Sequence, residues 1–138
     1  MNTIRAWLRC ERGSVLITGL MLTVALLMLL GVAVDIGHAF IVRRDLTAQA
    51  DNAALAGSQA LNLDALHQGQ LALDPTQAQT TSLDTIATSP QLQATAVANT
   101  RSVTVRLQEQ IPTILLRLVG LPSLTVAAQA SASPQTPG

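Results

Sequence analysis

From Ser14 to Val34 the chain carries no charged residue, and Leu, Val, Met, Ala and Gly fill most of its positions. At ~1.5 Å of rise per residue a helix of this run is about 31 Å long, which matches the ~30 Å hydrocarbon core of a bilayer. A lone span in lipid must satisfy every backbone N–H and C=O internally, so the run predicts one transmembrane helix over residues 14–34. Gly19 and Gly31 suit that assignment, because glycine is commoner in membrane helices than in soluble ones. The helical pattern continues past the apolar run. From Asp35 to Leu61 there is no proline, and Ile36, Phe40, Leu46, Ala50, Ala53, Gly57 and Ala60 recur largely at three- to four-residue steps. That is one face of a helix, with Arg43, Arg44, Asp45 and Asp51 largely elsewhere. The expectation is one long helix over about 14–61, half in lipid and half projecting, with a kink at Gly37 as the alternative.

The projecting face becomes small as it runs outward. Ala50/Ala54, Ala53/Gly57 and Ala56/Ala60 are four-residue pairs, the spacing at which small side chains let another backbone approach closely. Alanine is also the best helix former, which explains the same residues without a partner. Close packing is the preferred reading, against a strand or helix of the same domain or a neighbouring copy.

Beyond Leu61 the pattern breaks into short elements. Residues 62–80 turn polar and contain Gly69 and Asp74-Pro75; Asp at an N-cap with Pro at N1 starts a helix. That helix is expected from Pro75 to about Thr88, with Ala78, Leu83, Ile86 and Ala87 inward and Ser89-Pro90 ending it. Ala94, Ala96 and Ala98, then Val103, Val105 and Leu107, alternate with other residues at period two, predicting a hairpin that turns near Asn99. Pro112 to Val119 reads as a short apolar helix closed by Gly120. Leu124 to Ala130 alternates again as a last strand, and Ser131 to Gly138 reads as a frayed tail. The fold class is α+β: a long N-terminal helix followed by a small exported unit of about three strands and one or two short helices. Its divisions are a cytoplasmic lead (1–13), a transmembrane helix (14–34), a projecting helix (35–61), an α+β periplasmic unit (62–130) and the tail. About seventy exported residues make a marginal core that relies on the long helix or a partner.

Charge sets the orientation. Arg and acidic residues balance at eight each, but three Arg and one Glu precede Ser14, whereas five Arg and seven acids follow Val34. The basic flank favours the cytoplasm, which places the N-terminus inside and the C-terminal part in the periplasm. Trp7 suits the headgroup level as an interface anchor. With one Phe, one Trp, no Tyr and no net charge, the chain lacks the basic grooves and stacking platforms of nucleic-acid binding.

Catalytic chemistry is missing. Cys10 is the single cysteine, so no intramolecular disulfide forms, and it precedes the apolar run instead of following it as a lipoprotein cysteine would. His38 and His67 are the only histidines, and no set at zinc spacing assembles. Phosphate-binding glycine loops and G-x-S-x-G elbows are absent from the sequence. No enzyme activity, metal, cofactor or small-molecule substrate is expected. Asp35 stands where lipid gives way to water; an acid there can orient the helix or pair with a partner's cation, or simply end the span.

Several short stretches, in order, resemble a known family. They are Glu11-Arg12-Gly13-Ser14-Val15, the apolar run, Ala33-Val34-Asp35-Ile36-Gly37, Arg43-Arg44-Asp45-Leu46, and Ala50-Asp51-Asn52-Ala53-Ala54-Leu55-Ala56-Gly57. This order is similar to the N-terminal region of the TadG-like and TadE-like proteins of bacterial Flp (Tad, tight adherence) pilus-assembly systems. The stretch from Arg101 to Ala132 also looks like the region that follows in many relatives. The resemblance implies a minor-pilin-like envelope protein in the inner membrane, its globular part in the periplasm, helping to assemble or tip a thin adhesive pilus. Thr18 stands five residues after Gly13, where pseudopilins carry Glu, so prepilin-type processing is not part of what is implied. The metal-binding D-x-S-x-S motif of longer relatives is absent from the sequence, so no metal-dependent adhesion is implied.

The reading is therefore a bitopic pilus-assembly component whose partners are the lipid bilayer and other pilus-assembly or pilin-like subunits, including copies of itself. Its interaction residues are Asp35, Phe40, Leu46, Ala50, Ala53, Ala54 and Gly57. The rival is a secreted soluble binding protein in which the apolar run is a signal peptide cut at Gly37-His38-Ala39; against it, an apolar signal core usually spans ~7–15 residues. An envelope hydrolase has no catalytic set to stand on.

Overall fold

The apolar run and the small-residue face belong to a single helix, α1, spanning Ile4–Gly57. The computed structural model describes residues 4–87 and 89–135, with side chains from Ser14 onward except Val119. The side chains of Trp7 and Cys10, residue Thr88 and the last three residues lie outside that description. Helical hydrogen bonding continues through Gly37, and the helix ends at Gly57, four residues short of the expected end. The chain leaves it through a turn, Ser58 N–H donating to the Ala54 carbonyl at 2.9 Å. Ala60 and Leu61 then pair with residues 73–74: Leu61 bridges Leu73, and Asp74 N–H donates to the Ala60 carbonyl at 2.9 Å. Contacts divide the chain into two units, Met1–Gly37 with Thr113–Pro122, and His38–Pro112 with Ser123–Gly138.

In the second unit, helices α2 (Leu63–His67) and α3 (Pro75–Asp84) lead into a three-stranded antiparallel sheet of β1 (Leu92–Ala98), β2 (Val103–Pro112) and β3 (Ser123–Ala132), in that spatial order. The expected α3 start is present: the Asp74 carboxylate accepts from Thr76 N–H at 3.0 Å and Gln77 N–H at 3.2 Å. Its inward face differs from expectation. Ala78 and Ser82 are fully buried, Ile86 is buried beyond the helix end, and Leu83 and Ala87 face out. A four-residue step from Ala78 reaches Ser82, and Leu83 falls on the adjacent face. Helix α2 lies in the stretch read as merely polar; it is one short helix capped by Asn62, whose side chain accepts from Ala65 N–H at 3.1 Å. The hairpin turns where expected, with Asn99 Oδ1 accepting from Arg101 and Ser102 N–H at 2.8 Å each.

One face of the sheet carries the core. Val103, Val105, Leu107 and Ile111 of β2, with Val126, Ala128 and Ala130 of β3, pack against Leu46, Ala50, Ala53 and Ala54 of α1. Alternation along the strands puts Thr95, Arg106, Gln108 and Gln129 on the other, polar face. Strand β3 runs on through Ser131 and Ala132, so the expected tail begins later than Ser131; Ser131 Oγ lies 3.1 Å from Thr104 Oγ1 across the strands.

Candidate functional site

The sequence singles out Asp35 and the face from Phe40 to Gly57, and the structure gives these residues three different settings. Leu46, Ala50, Ala53 and Ala54 are at most 1% exposed and lie in the core of the second unit. The partners of this small-residue face are a sheet and, at Gly57, a helix of the same unit. Gly57 is buried as well: a Cβ there would sit 2.8 Å from the Ala78 carbonyl oxygen and closer still to Ser82 Oγ. Only a glycine lets the end of α1 meet α3 at that distance. The Ser82 hydroxyl is buried without a hydrogen-bond partner among the described residues, a local cost of the close approach. Phe40, in contrast, is 68% exposed.

Asp35 is the residue with the most distinctive surroundings, and all of those described here belong to the first unit. It is only 6% exposed. Its carboxylate accepts three backbone N–H groups from the loop between β2 and β3: Ile114 to Oδ1 at 3.0 Å, and Leu115 and Leu116 to Oδ2 at 2.9 Å each. These donors sit at the entry of a single 3-10 turn, Leu116–Val119. Free N–H groups at such an entry carry partial positive charge, so a carboxylate is the favoured acceptor, and hydrogen bonds to an ionised group are the strong kind.

The loop is shaped to present those N–H groups. Pro112 closes strand β2 and does not open a helix; the expected helix over 112–119 is reduced to the one turn. Thr113 seals the loop's base: its N–H donates to the Pro122 carbonyl at 3.2 Å and its hydroxyl to the Leu121 carbonyl. Gly120, at φ +91°, takes the left-handed conformation that turns the chain back. Leu121 N–H donates to the Leu116 carbonyl at 3.0 Å, and Leu118 N–H to the Leu115 carbonyl at 3.0 Å. The Leu115 side chain rests on Gly31, where any Cβ would collide with it. Gly31 and Asp35 are one helical turn apart on one face, so a notch and an acceptor receive the same loop. That four-residue spacing was present in the sequence, and with the aliphatic run after Pro112 it was the signal available.

Around the notch the first unit is apolar and open. Large side chains from Val15 to Leu30 are between 43% and 76% exposed, left uncovered by the described residues. Among the described residues, one helix near the N-terminus is long and apolar enough to cross a membrane, with only 6% of its most apolar window buried. Chemically, the site binds a loop through a carboxylate; among the described residues there is no His, Cys, Asp and Glu cluster able to hold a metal.

Residues 13–60 match the model of the Tad family, described as Flp pilus-assembly TadE/G-like. The match takes in the apolar run, Gly31, Asp35 and the packing face from Leu46 to Gly57, and stops before α3 and the sheet. No curated protein and no solved structure matches the chain. The long N-terminal helix is thus similar, over residues 13–60, to the Tad/Flp pilus-assembly family.

Proposed function

We propose that this protein is a bitopic inner-membrane, minor-pilin-like component of a Tad/Flp-type pilus-assembly machinery. Residues 14–34 anchor it, the N-terminus is cytoplasmic, and the sheet-bearing part is periplasmic. It works through helix packing and protein–protein contacts with other pilin-like or assembly subunits, not through catalysis. Phe40 and the polar face of the sheet stay available for those contacts, whereas Leu46, Ala50, Ala53, Ala54 and Gly57 act indirectly, by holding the domain in shape.

The observation that carries this reading is the Asp35 cap. A cut at Gly37-His38-Ala39, as a secreted protein would need, separates Asp35 from the three N–H groups that it accepts from residues 114–116. A hydrogen bond to a charged group contributes about 1.5–3 kcal/mol net, and the cut forfeits three of them. A helix that provides a structural acceptor just past the apolar run supports a permanent anchor over a disposable leader. The open apolar surface of residues 15–30 supports lipid as its surroundings, since the core helix of a soluble domain is covered by its own chain.

Thiol labelling in the native host tests the topology. The single native cysteine, Cys10, is expected to react with a membrane-impermeant maleimide only after spheroplasts are lysed. A Cys10→Ser, Ser133→Cys variant is expected to react in intact spheroplasts. The reverse pattern would overturn the orientation, and normal Flp-type piliation in a strain lacking this chain would overturn the assembly role.

A further inference from the structure

The loop that Asp35 holds has an outward side that the fold itself does not use. Ile114, Leu118 and Leu121 are 72%, 73% and 55% exposed, three large aliphatic side chains within one short loop. Single exposed leucines are ordinary on protein surfaces; a cluster of them on a loop fixed in place is not. The same unit contains the open apolar run, and Leu115 meets that helix at Gly31, within the run itself. At ~1.5 Å per residue, Gly31 lies about 6 Å inside the level of Asp35.

We propose that residues 113–122 form a membrane-dipping finger: Ile114, Leu118 and Leu121 enter the leaflet at the C-terminal end of the span, beside the helix. The inference rests on the anchor reading and adds a second point of lipid contact to it. The depth fits, because interfacial apolar elements bury ~5–10 Å into the boundary between headgroups and acyl chains. The backbone fits as well. Irregular chain is excluded from lipid unless its polar groups are satisfied, and here Asp35 takes three of the loop's N–H groups while the Thr113–Pro122 and Leu121–Leu116 bonds close it internally. Arg117, exposed in the same loop, has a stem long enough to leave its guanidinium among the phosphates. A lipid occupant is favoured over a protein one because the loop's exposed aliphatic residues belong to the same compact unit as the open apolar run, and Leu115 joins the two at Gly31, within the run.

Tryptophan quenching by brominated lipid tests the finger. The full-length protein is reconstituted into phosphatidylethanolamine–phosphatidylglycerol vesicles with Trp7→Phe as background. A reporter is placed at Leu118→Trp, Leu22→Trp (mid-span) or Val97→Trp (the exposed polar sheet face), one at a time. Lipid brominated near the headgroup end of its chains is expected to quench Leu118→Trp at least ~2-fold more than Val97→Trp, as a side chain at interfacial depth requires. Leu118 is exposed, so the substitution leaves the fold unchanged. If Leu118→Trp emits and quenches like Val97→Trp while Leu22→Trp is quenched by deep bromines, the finger is wrong and the anchor stands. A blue-shifted Leu118→Trp that bromine fails to quench marks a protein occupant and also overturns the finger. If Leu22→Trp is not quenched, the anchor reading fails and the finger falls with it.

Discussion

Two stretches of the same helix use opposite strategies. Between Val15 and Leu30, α1 carries large aliphatic side chains, all of them largely exposed. Between Leu46 and Gly57 it carries mostly small ones, and Leu46, Ala50, Ala53 and Ala54 are buried to 1% exposure or less. The more hydrophobic stretch is the uncovered one. Burial within a chain reports how closely other elements approach, and alanine and glycine permit that approach where leucine and valine would block it. Hydrophobicity reports which surroundings are tolerated, and an all-round aliphatic surface is tolerated in lipid. One helix can therefore serve as anchor and as core element because its sequence changes side-chain size along its length.

Glycines test that comparison most sharply. Gly57→Leu forces a side chain into the Ala78 backbone and Ser82, and is expected to destabilise the second unit by about 3 kcal/mol, the upper end for overpacking. Gly19→Leu meets nothing within 4 Å and is expected to change stability by less than about 0.5 kcal/mol. Urea titration of both full-length variants in detergent micelles measures the difference, and equal losses would break the contrast. A smaller effect belongs to the junction of apolar and polar surroundings. Asp35→Asn keeps the shape but turns one acceptor into a donor facing a donor, at an expected cost of about 2 kcal/mol. Hydrogen exchange at Ile114, Leu115 and Leu116 should accelerate by about thirtyfold, since each ~1.4 kcal/mol is tenfold. Asp51→Asn, on the exposed side of the helix, should leave those amides unchanged.

Much of the fold was legible locally because its signals are local. The apolar run, the Asp74-Pro75 helix start, the Asn99 turn and the period-two strands each depend on neighbours within a few residues. Failures came where a distant segment decides. Pro112 looked like a helix start, but pairing with Ser123 keeps it in β2. Leu83 looked like a core residue, but the face of α3 is set by the close approach at Gly57, which selects Ala78 and Ser82. Beyond the end of α1 at Gly57, Leu61 pairs with Leu73, a contact that helical periodicity does not encode. At the site, Asp35 was legible as a charge at the edge of the span. Its three acceptor bonds were not, because the donors lie about eighty residues further along the chain.

The central claim is that residues 14–34 stay attached and hold the protein in the membrane, with Asp35 in its structural role. The intact mass of the native protein, extracted from its host membrane, tests this most directly. The expected mass is that of the chain with the span and Asp35 retained, less at most the initiator Met. A protein beginning near Phe40 would contradict the account, because the anchor and the acceptor of the 114–116 loop would both be gone.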